Sequence, residues 1–284
     1  MWTIFRHSLI RSTGQVLGWG IVLALLGWYI VALYDSFAAP DSRQAFTQMM
    51  DAYPPELMSF FGDISHIFDP SGFINFTVFS YMPVVLGIFA IQVGGGLLAG
   101  DEEKGTLDLV LAHPVSRTAF FLGRLAAFIV ATLAILFIFW LGLAIPLPPT
   151  GLEMKAGELL LPFLSLLGLL LFFGTLTLAL SMLLPSQRVA GMFSGLLLVA
   201  SYIVNSLGRV DPDLVKLDPY LPLHYYQGGL AIDGMEWGWL GGLLAFTLFF
   251  ALLAWWRFQR REIRVSGEAG WQMPALKLRA GKLR

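Results

Sequence analysis

The sequence predicts an all-α polytopic membrane protein: six transmembrane helices, amphipathic interfacial helices, and both termini cytoplasmic. Composition is the first reason. Of 284 residues, 57% are hydrophobic and 13% charged, against about 45–50% and about 25% in soluble domains. So little charge cannot clothe a globule of this size in polar surface. The second reason is six runs free of Asp, Glu, Lys and Arg: Val16–Leu33, Phe73–Ala99, Leu125–Ile145, Leu159–Leu184, Val189–Leu207 and Trp237–Trp256. A bilayer core about 30 Å thick takes about 20 such residues to cross as helix. The third is charge sidedness. Fourteen of the 18 Lys and Arg fall in the N-terminus, the second and fourth connecting loops and the tail, which places those segments in the cytoplasm. The net charge of −1 therefore hides a basic inner face and an acidic outer one.

The chain divides into an interfacial helix at 1–14, a transmembrane domain at 15–257 and a basic tail at 258–284. At the start, Trp2, Phe5 and Leu9 share a side with Arg6 and Arg11 interleaved, the pattern of a helix lying along the inner leaflet. The first apolar run has 18 residues, longer than the 7–15 of a signal-peptide core, so it is read as an uncut anchor. Residues 35–72 are too long for a bare outer loop. Phe46, Met49, Met50 and Tyr53, then Leu57, Phe60, Phe61, Ile64 and Phe68 beyond Pro54-Pro55, follow helical spacing. Two short amphipathic helices are expected there, resting on the outer leaflet or on the ends of neighbouring spans.

The spans contain no ionisable side chain and no His. Proton relays, ion paths and counter-ions ordinarily need one, so a proton-coupled transporter or an intramembrane enzyme is disfavoured. The polar residues present are neutral. Asn75, Gln92, Ser194, Ser201 and Asn205 suit either interhelical hydrogen bonds or a substrate path. Gly14-x-x-x-Gly18 and Gly191-x-x-x-Gly195 permit close helix approach, within the chain or across a dimer. The segment 100–105 has the outer glycine spacing of a phosphate-binding loop, but Thr106-Leu107 stands where Lys-Ser/Thr is required and three acids precede it. It is not a nucleotide site. With zero Cys, thiolate metal sites and disulfides are excluded as well.

The cytoplasmic loop 100–119 carries the most information. Leu107, Val110 and Leu111 fall at i, i+3 and i+4, Thr106 suits a helix N-cap, and Pro114 stops the helix. The result is a short helix with an apolar stripe, held between two spans and preceded by acids. It suits either docking into a groove of a soluble partner or a plain connector at the lipid surface. The string Glu102-Glu103-Lys104-Gly105-Thr106-Leu107, followed by Leu111-Ala112-His113-Pro114-Val115-Ser116-Arg117, resembles the signature loop of ABC-2-type transporter permeases. The six-span layout with both ends inside matches that family along essentially the whole chain. The outer stretch from Pro54-Pro55 to Phe61-Gly62 is a weaker likeness.

The resemblance implies a membrane subunit of an ATP-driven exporter. Glu102, Glu103, Gly105, Thr106, Leu107, Val110, Leu111, Pro114 and Arg117 would form the coupling element for a separate ATP-binding cassette subunit. Gln187 and Arg188, in the other short inner loop, would make a second contact. A second permease copy or sibling would complete the transporter. Catalytic residues and metal sites are expected to be absent from this chain, and ATP and magnesium to belong to the partner. The expected location is the cell membrane, in contact with lipid and not with nucleic acid. The cargo expected for such apolar spans is hydrophobic or amphipathic. An ATP-independent scaffold built on the same fold is the alternative.

The outer loop 208–236, with Pro212, Pro219, Pro222 and His224-Tyr225-Tyr226, reads as a broken, partly re-entrant element. His224 lacks a second metal ligand at useful spacing. The tail beyond Arg257 reads as a topology anchor attracted to anionic lipid.

Overall fold

The computed structural model describes residues 1–54, 57, 66–103, 116–208 and 211–261. It is 81% helical, with no strand among the described residues and six helices long and apolar enough to span a membrane. Trp2–Phe37 is one unbroken helix, α1. The separate interfacial helix expected at 1–14 is thus the first four turns of the first span. No proline interrupts the stretch, and 36 residues reach roughly 54 Å, well beyond one hydrocarbon core. Arg43 Nε donates to the Ala38 carbonyl at 2.7 Å where α1 ends. Pro40 and Asp41 then open α2, Pro40–Asp51, as proline and acid suit a first turn.

The first outer amphipathic helix is therefore present. Its Phe46 ring packs against Phe37, Phe68 and Phe76, so it rests on the ends of the spans. Most of the second lies outside the described residues. The second span begins with α3, Pro70–Ile74, passes through a π-helical turn at Asn75–Phe79, and continues as α4, Met82–Gly96. A short helix, α5 (Ala99–Glu103), follows. The other spans are α6 (Arg117–Ala144), α7 (Leu160–Leu183), α8 (Gln187–Leu207) and α9 (Trp237–Arg260). Ser116 and Ser186 cap α6 and α8, each hydroxyl accepting from a backbone N–H three residues on.

Apolar on all sides, α7 goes to the centre. Its most apolar window is 83% buried, against 22% for those of α1 and α9. Small residues let backbones meet around it. A Cβ on Gly94 would stand 2.2 Å from the Gly174 carbonyl oxygen, and one on Gly174 would strike the Phe128 ring. In the pair α1 and α6, a Cβ on Gly142 would lie 2.3 Å from Ala24, while Gly20 faces Ile138 and Gly123 faces Ile4. Residue numbers rise together along that contact, so the two helices run parallel. The expected Gly14/Gly18 and Gly191/Gly195 approaches are not made among the described residues. Gly14, Gly18 and Gly195 face open space, and Gly191 meets only Ile91 at 3.9 Å.

The polar links sort to two ends of the bundle. One end gathers Arg11, Asp101, Arg124, Gln187 and Arg261. The other gathers the Tyr34 hydroxyl donating to Phe68, the Gly151 amide donating to Asp35, and the Gln227 amide donating to Ser165. The start of α1 and the end of α9 share the first end, as expected of a chain with an even number of spans.

Candidate functional site

The site is the base of the loop between the second and third spans. Three consecutive acids on α5 each reach a different part of the bundle. Asp101 is buried and pairs with Arg124 of α6; its other oxygen meets Arg11 of α1 at 3.4 Å. Glu102, its side chain 8% exposed, pairs with Arg261 at 3.3 Å. Glu103 accepts from the Gln187 backbone N–H at 2.8 Å, where a carboxylate satisfies an orphan donor at the start of α8 and complements its dipole.

The cations are placed by the same rule. Arg261 donates to the Ser181 and Met182 carbonyls at the end of α7. On the outgoing side of the loop, Arg117 Nη1 donates to the carbonyls of Phe258, Gln259 and Arg261, at 3.2, 3.2 and 2.8 Å. Both arginines sit at helix C-termini, where unpaired carbonyls and the dipole favour positive charge. Thr118 receives Trp255 Nε1 at 3.3 Å and lies beside Gln259. The incoming stem is thus tied to α1, α6 and α8 directly, and to α7 through Arg261. The outgoing stem is tied to α9.

Several expected site residues take different places. Glu102, Glu103 and Arg117 make bonds inside the chain at the loop's base. Gly105, Thr106, Leu107, Val110, Leu111 and Pro114 lie outside the described residues. Gln187 starts α8 and its backbone N–H donates to Glu103, with Arg188 next in sequence. Of the five neutral polar residues, Ser194 and Ser201 are fully buried. The Ser201 hydroxyl donates to the Leu197 carbonyl, and that of Ser194 has no bond among the described residues. Asn75 accepts from the Gly229 N–H at 2.9 Å, and Asn205 donates to Asp218 at 3.4 Å. Gln92 is exposed and lines a large cleft, while Asn75 and Asn205 border a small cavity of about 80 Å³ at the other end.

Two clefts flank α4. One of about 680 Å³ lies between α1, α4 and α6; the other, about 530 Å³, lies between α4 and α8. Gln92, Glu103 and Gln187 border both.

The segment holding Pro219, Pro222 and His224-Tyr225-Tyr226 lies at the far end of the bundle. Short 3-10 turns at Asp218–Tyr220, Pro222–Tyr225 and Gly228–Ile232 tuck against α3, α7 and α8. The Tyr226 hydroxyl donates to the Phe79 carbonyl at 2.9 Å, taking up an acceptor at the end of the π turn, and burial pushes its phenol well above the ordinary range. Gly228 has φ +52°, a left-handed conformation that glycine adopts without penalty. His224 Nδ1 lies 2.7 Å from Asp218. Among the described residues no three His, Asp or Glu side chains gather to hold a metal.

Sequence reasoning missed Asp101, Arg124, Arg11 and Arg261 as a set. The available signal was Arg124 at the margin of an otherwise uncharged span, since a charge there needs a partner.

Six helices long and apolar enough to cross a membrane, gathered in one bundle, make this a multi-pass membrane protein. Residues 2–263 match the ABC-2 family transporter proteins, and the chain belongs to that family. Comparison with curated proteins finds no significant match.

Proposed function

We propose that this chain is the permease of an ATP-driven exporter, powered by a separate cassette subunit that docks on the loop at 104–115. The observation that carries the reading is the tied base of that loop. A docked partner that pulls on that loop can do work on the bundle only if the loop's stems are fixed to the spans. Asp101, Glu102, Glu103 and Arg117 make that fixture. They transmit force, while Leu107, Val110 and Leu111 supply the docking face. Gln187 and Arg188 border the same region and form the second contact. The phosphate-binding loop missing from this sequence is supplied by the partner, which binds ATP and magnesium.

Two permeases pair across α8, whose Met192 and Leu196 are 69% and 67% exposed beside the open Gly195. Motion of the paired loops opens the path alternately to the two sides, and Gln92 in the α4–α8 cleft lies on that path. The basic end faces the cytoplasm of a cell whose plasma membrane holds the protein. The cargo is hydrophobic or amphipathic. The docking step is tested by Leu107→Asp. Co-purification of the tagged permease with its cassette subunit is expected to be lost, while the permease alone keeps its monodisperse profile. Recovery of cassette equal to that of the unaltered chain overturns the docking assignment.

A further inference from the structure

A further cleft, of about 380 Å³, lies between the first three turns of α1, the start of α6 and Asp101 of α5. Thr3, His7 and Arg11 line its α1 wall. They follow one another at i, i+4 and i+8, the spacing that stacks side chains on one face of a helix. All three are exposed. Among the described residues, neither the Thr3 hydroxyl nor the His7 ring is bonded to another group. Arg11 is 52% exposed and touches only Asp101, at 3.4 Å, which leaves most of its five donors unused. On the α6 wall, Arg124 lies over the Phe120 ring and pairs with the other Asp101 oxygen. Its Nε is buried and unbonded.

The cleft thus sets two guanidiniums against one carboxylate. The acids that follow Asp101 are turned elsewhere, Glu102 to Arg261 and Glu103 to the Gln187 N–H, and neither lines this cleft. An anion is what would balance it. A phosphate has oxygens set tetrahedrally, so one edge can meet the guanidinium as a bidentate pair while another oxygen takes a ring N–H of His7. An imidazole has such an N–H to give whether neutral or protonated. A carboxylate has two coplanar oxygens, which Arg11 alone would occupy. Depth agrees with this chemistry. Arg11 stands five residues before Val16, where the first apolar run begins, about 7.5 Å along the helix. A headgroup layer is about 5–7 Å thick on each side of the hydrocarbon core.

We propose that this cleft binds a phosphate group, held by Arg11 and His7, with the Arg124 charge on the facing wall. Basic pockets between membrane helices take the heads of anionic lipids in this way, and a soluble phosphate ester presents the same chemistry. The assignment stands apart from the export reading, because binding here requires neither nucleotide nor cassette subunit.

The test is isothermal titration calorimetry on the full-length protein in maltoside micelles. The probes are dihexanoyl-phosphatidic acid, glycerol 3-phosphate and dihexanoyl-phosphatidylcholine. Saturable binding of the phosphatidic acid is expected, with phosphatidylcholine weaker because its trimethylammonium group opposes the cationic wall. Losing a hydrogen bond to a charged group corresponds to about a tenfold loss, so Arg11→Gln is expected to weaken phosphatidic acid binding about tenfold. Arg11→Lys, which keeps the charge, restores most of it. His7→Phe also weakens binding, and His7→Gln, which keeps a donor, does so less. Arg6→Gln, exposed and outside the cleft, changes nothing. Glycerol 3-phosphate bound as tightly as the lipid assigns the site to soluble esters, and weaker binding assigns it to a lipid head; either result, with the Arg11 dependence, supports the proposal. It is overturned if neither phosphate gives saturable heat, or if phosphatidylcholine binds as tightly as phosphatidic acid. It is equally overturned if Arg6→Gln acts like Arg11→Gln.

Discussion

Replacing Asp101 with Asn removes the charge that faces Arg124 and leaves the shape nearly unchanged. The side chains of Asp101 and Arg124 are 7% and 13% exposed, so water cannot take over the lost interaction. Breaking one side of such a pair costs about 3–5 kcal/mol, because a buried charge is left uncompensated. Arg11 does not compensate, since it carries the same sign. The pair of Lys216 and Asp213 supplies an internal reference. Those side chains are 76% and 84% exposed, and exposed pairs contribute about 0–1 kcal/mol. At roughly 2 °C per kcal/mol for a chain of this size, Asp101→Asn should lower the melting temperature by about 6–10 °C and Lys216→Ala by no more than about 2 °C. The assay is thermal unfolding of detergent-solubilised protein followed by intrinsic tryptophan fluorescence. Equal shifts for the two variants would refute the argument that burial makes the Asp101 pair structurally decisive. An Asp101→Leu/Arg124→Met double variant, which removes both charges, should recover most of the loss.

Two further outcomes follow from the open face of α8 and from the far end of the bundle. Gly195→Cys, alone in the Cys-free chain, is expected to give a disulfide-linked dimer under mild oxidation in membranes, because the pairing proposed across α8 brings two copies of that position within bonding distance. Absence of the dimer, with a single Cys on the lipid-facing side of α9 equally unreactive, would show that α8 does not form the contact. The Tyr226 phenol is raised by burial, so the folded state holds its proton more tightly than the unfolded chain. Its stabilising contribution is fully present below the ordinary tyrosine value near 10 and is lost as pH rises towards the folded value. Tyr226→Phe should therefore flatten the decline of melting temperature above about pH 10, at a cost near neutral pH of about 1–3 kcal/mol for the acceptor on Phe79 left unpaired. An unchanged alkaline slope would contradict the assignment.

The six spans were legible because a bilayer imposes a length and an apolar composition that a one-dimensional pattern expresses directly. Each apolar run corresponds to a span of the bundle, and Pro212, Pro219 and Pro222 each open one of the short turns that follow α8. The helix expected at 1–14 is continuous with the first span for a local reason. Interleaved arginines describe which face is wet, not whether the backbone bends, and Gly14 alone does not stop a helix whose neighbours on both sides favour it. The glycine motifs misled in a similar way. Spacing marks where a backbone is bare, but Gly142 and Gly94 meet a neighbour while Gly195 does not.

At the loop, the sequence supplied the string but not the use of its residues. Glu102, Glu103 and Arg117 resemble a docking motif when read in line. In three dimensions they close onto Arg261, Gln187 and the end of α9, whose positions are between 84 and 159 residues away in sequence. Composition and periodicity alone determined that this chain carries six helices long and apolar enough to cross a membrane, since that feature depends only on burying apolar length. Which helix lies at the centre, which glycines are crowded, and which charges neutralise one another were decided by tertiary packing. Pairing energies in a low-dielectric interior depend on separations of a few ångströms that no linear spacing encodes.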